Sequence, residues 1–485
     1  MNPSVRWDKT VDVVVIGYGG AGATAAIAAH DAGAATLVLE SASEGGGNTL
    51  ASFGGFVGHD DPSKALAYFT ALFKASHSER DEQLLRVFVE ESAKTPDWLR
   101  SLDRDVALQS YGGASYPQVA GAEAIKRYVI KGKNKGATAF AQHLWRLLSS
   151  AVEQQRHIPV LRQTPAQRLV TGRNGDVVGV IAKVNWQDLA IQAKRGVILA
   201  SGGYEFDQAT LKSSVKGSPL HSLGHPGNRG DGVRMAQKVG AALWHMNGVS
   251  CAFGLKVPAF APALMMSIGN VGQIFVDRNG NRFVNEGAIE RHAALLAVDF
   301  FDSQALSYPR IPFYLIFDEK TRKRAPLSRS AGLGSAGSSY TWSKDNQKEI
   351  DNGWISKADT VAELARKLGI PDANLSDTVG GWNAAVLAGH DGHFGREMPE
   401  DAASARIDTG PFYGVEIHPA LINTQGGPRR NERAQIVDPF GKPIPGLYGA
   451  GELGSLWGLL YQGGGNIAEC LAFGRIAGAN AAAGR

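Results

Sequence analysis

The chain has 485 residues, of which 44% are hydrophobic and 20% charged, and its net charge is only +4. This composition is typical of a globular protein with a large core in two or more lobes, and without a long basic block it does not indicate a nucleic-acid partner. Only two cysteines occur, Cys251 and Cys470. That number excludes a disulfide framework and a cysteine-ligated iron–sulfur cluster, and it suits a reducing compartment.

The first residues carry charges and lack the apolar stretch of a secretory signal. Residues 1–11 read MNPSVRWDKTV, whereas a signal peptide needs an apolar core of roughly 7–15 residues. The Ala-rich stretch 17–35 opens with glycines and is interrupted by His30 and Asp31, which predicts a buried βα unit and not a membrane span. We therefore expect a cytoplasmic protein with no membrane span, no nucleic-acid partner and no metal site.

Residues 11–40 have the order of a dinucleotide-binding βαβ unit. A β-branched run, Val11–Ile16, precedes the glycine turn Gly17–Gly22, and an Ala-rich helical stretch follows. A second apolar run, Thr36–Leu39, ends at Glu40. Strand, tight turn, helix, strand and acid are the parts that such a unit requires, and the start of the helix offers free N–H groups to phosphates.

The glycines of this turn have separate roles in the motif. Gly17 allows the tight turn, Gly19 lets the backbone approach a pyrophosphate, and Gly22 lets the helix pack close to the strand. Glu40 stands where a carboxylate accepts hydrogen bonds from ribose hydroxyls, and it would repel a 2′-phosphate. The motif therefore disfavours NADP but does not by itself separate NAD from FAD.

The stretch after Glu40 predicts further backbone around a ligand and then a mixed α/β region. Glycines recur at 45–47 and at Gly54-Gly55, which indicates either backbone wrapped around an extended ligand or a surface loop. The pattern predicts helices within 61–110 and near 139–154, with a looser segment between them. Residues 159–199 predict strands, with a hairpin turn at Asn174-Gly175.

Residues 249–396 differ in character and predict an inserted second domain. They hold more aromatic residues, prolines and polar loops, a Gly/Ser-rich stretch at 330–343 and a helix pair within 355–390. From Ile407 the pattern turns to sheet, and the chain finishes with Gly463–Asn466 and a helix. We therefore assign one domain to 1–248 and 397–485, and an inserted domain to 249–396.

Motifs spread over the chain resemble those of the FAD-binding fumarate reductase/succinate dehydrogenase flavoprotein superfamily. At the active site the chain is most similar to the 3-ketosteroid dehydrogenases. The matching motifs are the glycine turn Gly17–Gly22, GGNT at Gly46–Thr49, GVILASGG at Gly196–Gly203, GDG at Gly230–Gly232, RFVNE at Arg282–Glu286, GG at Gly426–Gly427, IPGLYGAGE at Ile444–Glu452, GGN at Gly464–Asn466 and FGRIAG at Phe473–Gly478. The resemblance implies an α/β fold, in which a Rossmann-like FAD-binding domain built from both chain ends is interrupted by an α+β cap domain.

The resemblance also implies FAD as the cofactor. Family members with covalent FAD carry a histidine where this chain has Asn48, and asparagine cannot form that bond, so we expect noncovalent FAD. The helix after Gly464 would place its positive end at the flavin, unless this glycine run is only a helix-entry turn. The cofactor-binding residues implied are Gly17, Gly19, Gly20, Ala21, Gly22, Glu40, Ser41, Gly47, Asn48, Thr49, Gly54, Gly55, Ala200, Ser201, Gly202, Asp231, Glu452, Asn466 and Ile467.

The chain departs from the fumarate reductases where they hold a dicarboxylate. The family histidine before GG falls at Asn423, and the family arginine before GGN falls at Gln462. The catalytic arginine after RFVNE falls at Glu290, although Arg291 is next to it. Loss of these partners removes the charge-assisted bonds that a dicarboxylate needs, so the sequence disfavours succinate and fumarate.

The 3-ketosteroid dehydrogenases instead bind a ketone oxygen with a tyrosine hydroxyl and the N–H of a glycine four residues later. Tyr461 and Gly465 have this spacing, and two such donors form an oxyanion hole for an enolate. The family base is a cap-domain tyrosine, and Glu290 falls near its place. Glu290 is therefore a candidate base, or a surface glutamate on a helix with Arg291. Tyr116 is a candidate assisting tyrosine, and Tyr461 would otherwise be a packing residue.

The resulting hypothesis is an FAD-dependent oxidoreductase acting on CH–CH groups. It would desaturate a ketone, a 3-ketosteroid or a smaller cyclic ketone, by α-proton abstraction and β-hydride transfer to the flavin, or reduce the enone. The electron acceptor is not indicated. The alternatives are a fumarate-reductase-like enzyme of an unsaturated carboxylic acid, using Arg291, and a flavoprotein electron-transfer subunit. Tyr314, His292 and His418 are expected to be structural, and Arg429-Arg430 to face water.

Overall fold

The computed structural model describes residues 5–132, 137–267, 271–328 and 340–484. Most of the predicted Gly/Ser-rich stretch, residues 330–339, lies outside the described residues. The chain forms two compact units. The first unit comprises Met1–Val215, Gly224–Ser250 and Asn423–Arg485, and the second comprises Lys216–Leu223 and Cys251–Ile422.

Strands and helices alternate along much of the chain. The helices are α1 (Gly20–Asp31), α2 (Gly47–Ala51), α3 (Pro62–Ser76), α4 (Glu82–Leu102), α5 (Ala137–Ser150), α6 (Gln208–Ser214), α7 (Asp231–Lys238), α8 (Glu319–Arg324), α9 (Gln347–Asp351), α10 (Val361–Leu368), α11 (Asp372–Ala388), α12 (Ala402–Ala405) and α13 (Gly465–Ala483). The strands are β1 (Lys9–Ile16), β2 (Thr36–Leu39), β3 (Phe56–His59), β4 (Leu108–Gly112), β5 (Ile125–Ile130), β6 (Val160–Leu161), β7 (Ala166–Thr171), β8 (Val177–Val184), β9 (Gln187–Leu199), β10 (His221–Ser222), β11 (Leu243–Trp244), β12 (Val249–Leu255), β13 (Leu264–Met265), β14 (Gln273–Val276), β15 (Phe313–Asp318), β16 (Ser356–Ala358), β17 (Phe412–Thr424), β18 (Gly427–Pro428), β19 (Gln435–Val437) and β20 (Pro443–Gly449).

The main sheet of the first unit has the strand order β19-β20-β9-β1-β2-β6. Strand β1 runs parallel to β2 and β9, and β9 runs parallel to β20. Ile16 is paired with both Leu39 and Leu199, so β1, β2 and β9 end at the same level. The residues that follow these strands therefore meet at one edge of the sheet, where parallel α/β sheets bind their ligands.

Two helices from opposite ends of the chain pack closely in this unit. Helices α1 and α13 are rich in Ala and Gly and are buried along most of their length. A Cβ on Gly478 would lie 2.3 Å from the Ala25 carbonyl oxygen, and one on Gly474 would lie 2.8 Å from Cβ of Thr24. These small residues bring the two backbones together, and the predicted domain built from both chain ends follows from this contact.

A smaller three-stranded sheet, β3-β5-β4, also belongs to the first unit. Both of its pairs are antiparallel. The sequence predicts only a looser segment at 111–136, although β5 (Ile125–Ile130) lies within it. These strands give a weak sequence signal because they are short, and because buried and exposed residues do not alternate along β4 and β5.

The second unit is a mixed sheet with a helical layer. Strand β17 lies in the middle of the order β13-β12-β17-β15-β14, and β10 and β16 also pair with it. A core cluster joins strand residues to the pair α10 and α11, with Trp382 and Leu364 buried in it. This pair confirms the helices expected within 355–390, and Tyr314 is buried in the same cluster as expected.

The boundary between the units differs from the predicted one at its second crossing. The sequence pattern predicts that the chain returns to the first domain at 397, whereas the second unit continues to Ile422. The reason is β17, which pairs antiparallel with β15 from Phe412 to Ile417. Residues 216–223 also join the second unit, because His221 and Ser222 pair with β17.

Two predicted absences can be examined in the described part of the chain. No helix there is long and apolar enough to cross a membrane. No group of three or more His, Cys, Asp or Glu side chains among the same residues could hold a metal ion.

Candidate cofactor and active site

The glycine turn after β1 is as tight as the sequence predicts. Gly17 has φ +102°, and a Cβ on it would lie 2.4 Å from the Ala200 carbonyl oxygen. A Cβ on Gly22 would lie 1.9 Å from the Gly17 carbonyl oxygen. The first position needs the left-handed conformation that glycine tolerates, and the second needs the close approach of helix to turn. Neither position accepts a side chain without displacement of backbone.

Glu40 is fixed at the end of β2 by three donors. Its carboxylate accepts hydrogen bonds from the Tyr18 N–H at 2.9 Å, the Ala42 N–H at 2.8 Å and the Ser41 hydroxyl at 3.2 Å. The Tyr18 contact joins the acid directly to the glycine turn. The carboxylate is therefore held rigidly beside the turn, as the ribose-binding acid of a dinucleotide site must be.

A cleft of about 920 Å³, counted to its open mouth, lies at this edge of the sheet. The predicted cofactor residues that line it are Gly17, Gly19, Gly20, Ala21, Glu40, Ser41, Gly47, Asn48, Thr49, Ala200, Ser201, Gly202, Asp231 and Glu452. Lining residues that the sequence analysis does not predict are Ile16, Tyr18, Leu39, Glu44, Thr164, Pro165, Ala166, His225, Gly227, Asn228, Met235, Ala450 and Cys470. Of the predicted set, Gly22, Gly54, Gly55, Asn466 and Ile467 do not line this cleft.

Asn48 connects the cleft to two buried glutamates. Its Nδ2 donates to Glu205 Oε1 at 2.7 Å and to Glu452 Oε2 at 2.9 Å, and its Oδ1 accepts from the His225 N–H at 2.6 Å. Asn228 Nδ2 also donates to Glu205 Oε1, at 2.8 Å. Burial raises the pKa of Glu205 to about 7 and that of Glu452 well above its usual value.

Tyr461 is buried just before α13. Its hydroxyl oxygen accepts a hydrogen bond from the Asn466 N–H at 3.0 Å, in the first turn of the helix. Burial raises the pKa of Tyr461 well above its usual value, so the hydroxyl keeps its proton at neutral pH. A neutral phenol is a hydrogen-bond donor, and the helix start fixes where this one lies.

The backbone N–H of Gly465 already has a partner in the chain. It donates to the Gln462 carbonyl oxygen at 2.8 Å, in a turn that leads into α13. A Cβ at this position would lie 2.5 Å from the Trp457 ring, so packing alone also requires a glycine here. The predicted two-donor arrangement therefore depends mainly on Tyr461.

The two positions where the related family places cationic or histidine side chains are neutral and engaged. Gln462 is fully buried, and its Oε1 accepts from the Tyr68 hydroxyl at 2.7 Å and the Ser115 N–H at 2.9 Å. Asn423 is buried and donates to the Thr424 carbonyl at 3.0 Å. Neither side chain offers a positive charge to a carboxylate substrate.

A tyrosine other than Tyr116 lies near Tyr461. Tyr111 is close enough that its charge would raise the pKa of Tyr461. Its hydroxyl lies over Gly55, where an added Cβ would come within 2.2 Å of it. Tyr116 packs against the core of the first unit, and its N–H donates to the Tyr68 hydroxyl at 3.2 Å. Tyr111 is thus a neighbour of Tyr461, whereas the role of Tyr116 as the tyrosine that assists the base stays a prediction.

Glu290 belongs to the second unit and lies outside any helix, so the alternative of a helical surface glutamate is wrong. Its carboxylate accepts from the His292 N–H at 2.6 Å and contacts His292 Nδ1 at 3.0 Å. The Glu290 side chain is 18% exposed, whereas Arg291 is exposed. Glu290 and His292 thus form a half-buried acid–imidazole pair. The sequence predicts Glu290 as a candidate base and His292 as a structural residue, and it gives no sign that the two side chains are in contact.

The expectation that both Arg429 and Arg430 face water is wrong for Arg430. Its side chain is fully buried and forms an ion pair with the equally buried Glu469 of α13. Arg430 also donates to the Leu453 carbonyl at 3.0 Å, and Glu469 accepts from the Ser455 hydroxyl at 2.6 Å. Two adjacent arginines near a glycine pair give no sequence signal that one of them points inward, because the partner lies 39 residues away.

Comparison with known proteins identifies the family to which this site belongs. A family model described as FAD binding domain matches residues 12–467, which is nearly the whole chain. The chain belongs to the FAD binding domain family. FAD is therefore its cofactor, as the sequence predicts.

Several proteins of known function are similar to this family member over most of its length. It is 30% identical over 488 residues to the fumarate reductase (cytochrome) of Shewanella frigidimarina, covering 98% of this chain and 77% of that protein. It is 29% identical over 495 residues to the NADH:fumarate oxidoreductase of Klebsiella pneumoniae (strain 342), covering 98% of this chain but only 48% of that relative, about half its length. It is 27% identical over 530 residues to the 4-oxocyclohexanecarboxylate 2-dehydrogenase of Sinomonas cyclohexanicum, with 91% and 87% covered.

A solved structure confirms the fold of this family member. The 3-ketosteroid delta1-dehydrogenase from Sterolibacterium denitrificans, solved in complex with 1,4-androstadiene-3,17-dione, matches with a TM-score of 0.84 at 23% identity. The match covers 98% of this chain and 100% of that one. The predicted fold class, an FAD-binding α/β fold, is confirmed, and the chain is an FAD-binding oxidoreductase by family.

The residues of the cleft fit FAD. The N-cap of α1 is Gly19, which has no side chain, and no acid lies in the first turn of the helix. The Gly20 N–H donates to the Thr49 hydroxyl at 2.9 Å, and Thr49 also lines the cleft. A Cβ on Gly19 would meet nothing nearer than the Gly46 carbonyl oxygen at 3.6 Å, which leaves room for a phosphate. With Glu40 at the end of β2, this arrangement would hold the pyrophosphate and ribose of an adenine dinucleotide.

Proposed function

We propose that the protein is an FAD-dependent oxidoreductase of the carbon–carbon bond beside a ketone, desaturating the ketone or reducing the enone. The observation that carries this proposal is the buried, neutral Tyr461 at the start of α13. The neutral Gln462 and Asn423 support it, because they would leave a carboxylate without charged partners. Among the relatives, the 4-oxocyclohexanecarboxylate 2-dehydrogenase has a ketone, together with a carboxylate, in the name of its substrate.

The proposed chemistry needs two proton-handling groups from this chain. When bound, FAD supplies the redox centre that exchanges a hydride with the substrate. Tyr461 donates to the ketone oxygen and stabilises the enolate that forms when the neighbouring carbon loses its proton. The Gly465 N–H already donates to the Gln462 carbonyl. It would donate to the ketone oxygen as well only through a three-centre hydrogen bond shared by the two oxygens.

Glu290 and His292 are proposed to handle the α-proton. The carboxylate contacts the imidazole at Nδ1, so the pair is able to take up a proton in one direction and return it in the other. The backbone N–H of His292 donates to the same carboxylate and fixes its orientation. We also propose a cytoplasmic location, because Cys251 and Cys470 are free buried thiols.

A second candidate function is reduction of an unsaturated carboxylic acid. The names of the fumarate reductase of Shewanella frigidimarina and the NADH:fumarate oxidoreductase of Klebsiella pneumoniae favour it. The exposed Arg291 would have to supply the charge that Gln462 and Asn423 lack. This candidate therefore predicts that Arg291→Met abolishes turnover of acids.

An anaerobic substrate panel tests the proposal. The holoenzyme is mixed with cyclic ketones, including 3-ketosteroids, and separately with saturated carboxylic acids, while flavin absorbance is followed. We expect ketones to bleach the flavin and acids to leave it oxidised. The reverse panel uses dithionite-reduced holoenzyme with enones and with fumarate. Bleaching by acids alone, or reoxidation by fumarate alone, would replace the proposal with the second candidate.

The bound FAD is proposed to be noncovalent. Asn48 stands where the related covalent flavoproteins carry histidine, and its amide is already engaged by Glu205 and Glu452. Acid precipitation of the holoenzyme should therefore release all yellow colour into the supernatant and leave a white pellet. A pellet that stays yellow after washing in denaturant would show a covalent bond and reject this prediction.

A further inference from the structure

Glu205 and Glu452 are two carboxyl groups buried side by side beneath the cofactor cleft. Glu205 is fully buried and Glu452 is 8% exposed. A single amide nitrogen, Asn48 Nδ2, donates to an oxygen of each, at 2.7 and 2.9 Å. A Cβ on Gly203 would lie 2.4 Å from Glu452 Oε1 and 3.0 Å from Glu205 Oε2, so one oxygen of each carboxyl lies next to Gly203.

The donors around the pair do not satisfy two ionised carboxylates. Glu205 Oε2 is buried without a hydrogen-bond partner among the described residues, whereas Oε1 accepts from both Asn48 and Asn228. Glu452 Oε1 has the Thr424 N–H at 3.2 Å. A proton on one carboxyl supplies the missing donor for the other, and it removes the repulsion between two buried like charges.

The titratable groups near the pair do not offset its charge. Arg430 donates to the carbonyls of Gly451 and Leu453, which flank Glu452, but its own charge is paired with Glu469. Tyr204 precedes Glu205 in the chain, and burial raises its pKa well above its usual value. The Cys470 thiol on α13 faces Glu452, and burial raises its pKa to about 12. Both groups are neutral at physiological pH, and the polar partners Asn48, Asn228 and Thr424 carry no charge. A proton shared by the two carboxyls therefore lowers the charge of the pair from two negative charges to one.

Only one member of the pair faces the cofactor. Glu452 lines the cleft, whereas Glu205 does not. The cleft is also lined by the acids Glu40, Glu44 and Asp231, and within the described chain no Lys or Arg lines it. FAD brings two pyrophosphate charges at neutral pH, so an additional carboxylate on this wall would oppose its binding.

We propose that Glu205 and Glu452 share one proton, and that Glu205 is a positioning residue that keeps the Glu452 carboxyl neutral where it lines the FAD cleft. In this arrangement the protonated Glu452 carboxyl donates a hydrogen bond to the ionised Glu205 carboxylate. The proposal concerns cofactor binding and does not depend on the substrate. It makes retention of FAD sensitive to pH, since loss of the shared proton places a second negative charge in the wall.

The test is titration of the apoprotein with FAD, followed by quenching of flavin fluorescence, from about pH 7, near the pKa of Glu205, up to about pH 9.5, because the shared proton leaves only after Glu205 is ionised. For the wild-type chain we expect the dissociation constant to rise by about tenfold or more across this range. The Glu452→Gln variant should bind tightly and without pH dependence, because residue 452 can no longer ionise. In Glu205→Gln the pKa of Glu452 should fall, because the like charge beside it is gone while its burial remains, so FAD binding should weaken at a lower pH than in the wild type.

The control is Asp188→Asn. Asp188 is an exposed acid of the first unit that pairs with Lys183 and does not line the cleft. This variant should keep the pH dependence of the wild type. Equal pH dependence in the wild type and in Glu205→Gln would overturn the proposal, as would wild-type affinity that does not change with pH.

A second measurement does not depend on cofactor binding. Infrared difference spectra of the apoprotein should show the carbonyl stretch of a protonated carboxyl at about pH 7, near the pKa of Glu205. The band should disappear in each single Gln variant or shift markedly, since either change removes one of the two acids that share the proton. An unchanged band in both variants would assign it elsewhere and overturn the proposal.

Discussion

Replacing Tyr461 by Phe should lower turnover by about 10²–10³-fold, equivalent to about 2–4 kcal/mol of barrier. The hydroxyl is the buried neutral donor of the proposed site, and the substitution removes only this oxygen. The measurement is steady-state turnover of whichever ketone or enone reacts with the flavin, together with the amount of FAD retained. FAD content should not change, because the substitution keeps the aromatic ring and removes only the hydroxyl oxygen.

A matched control for this variant is Tyr448→Phe. Tyr448 is another buried tyrosine, and its hydroxyl contacts the Asn480 carbonyl at 3.4 Å, near the end of α13 and away from its start. We expect this variant to keep near-normal turnover. If Tyr461→Phe also turns over normally, the hydroxyl is a packing and capping group and the oxyanion role is rejected.

Replacing Arg430 by Met should lower the free energy of unfolding by about 3–5 kcal/mol. The change leaves Glu469 buried in α13 without its cation, since both side chains of this pair are fully buried. The carbonyls of Leu453 and Gly451 also lose the Arg430 guanidinium as their hydrogen-bond donor. Urea denaturation of the apoprotein and the holoenzyme, followed by far-ultraviolet circular dichroism, measures the loss.

The adjacent Arg429 provides the control for this prediction. Arg429 pairs with Glu79 at 2.7 Å, and the two side chains are 33% and 54% exposed. Solvent screens such a pair, so Arg429→Met should cost about 1 kcal/mol or less. Similar losses for the two variants would show that burial of the Arg430–Glu469 pair carries no special penalty.

The parts of the fold that sequence predicts best are those with local signals. The βαβ unit follows from the spacing of Gly17, Gly22 and Glu40. The structure forms it with β2 at the predicted residues, and β1 begins two residues before the predicted run. The helix after Gly464 likewise follows from its glycines and Ala-rich composition. In both cases the chain itself carries the turn, the helix start and the buried face within about 30 residues.

The parts that sequence reasoning missed depend on partners that are distant in the chain. Glu205 reads as a polar residue after a small-residue turn, and only its approach to Glu452 makes it part of the site. Tyr111 likewise has no local signal for its place, because only the folded chain brings its hydroxyl over Gly55. Arg430 has an ordinary turn sequence, and its burial follows from the distant Glu469. Pairings of this kind are set by tertiary packing, which spacing does not encode.

The packing of α1 against α13 has a consequence for how the protein is made. A ribosome completes the glycine turn of residues 17–22 early, but Glu452, Cys470 and the helix that covers α1 are translated long afterwards. A nascent chain that stops before Glu452 lacks a wall of the cleft and the helix that buries α1. Cofactor capture is therefore a late event in biosynthesis, and until then the Ala-rich surface of α1 is exposed to chaperones and to other nascent chains.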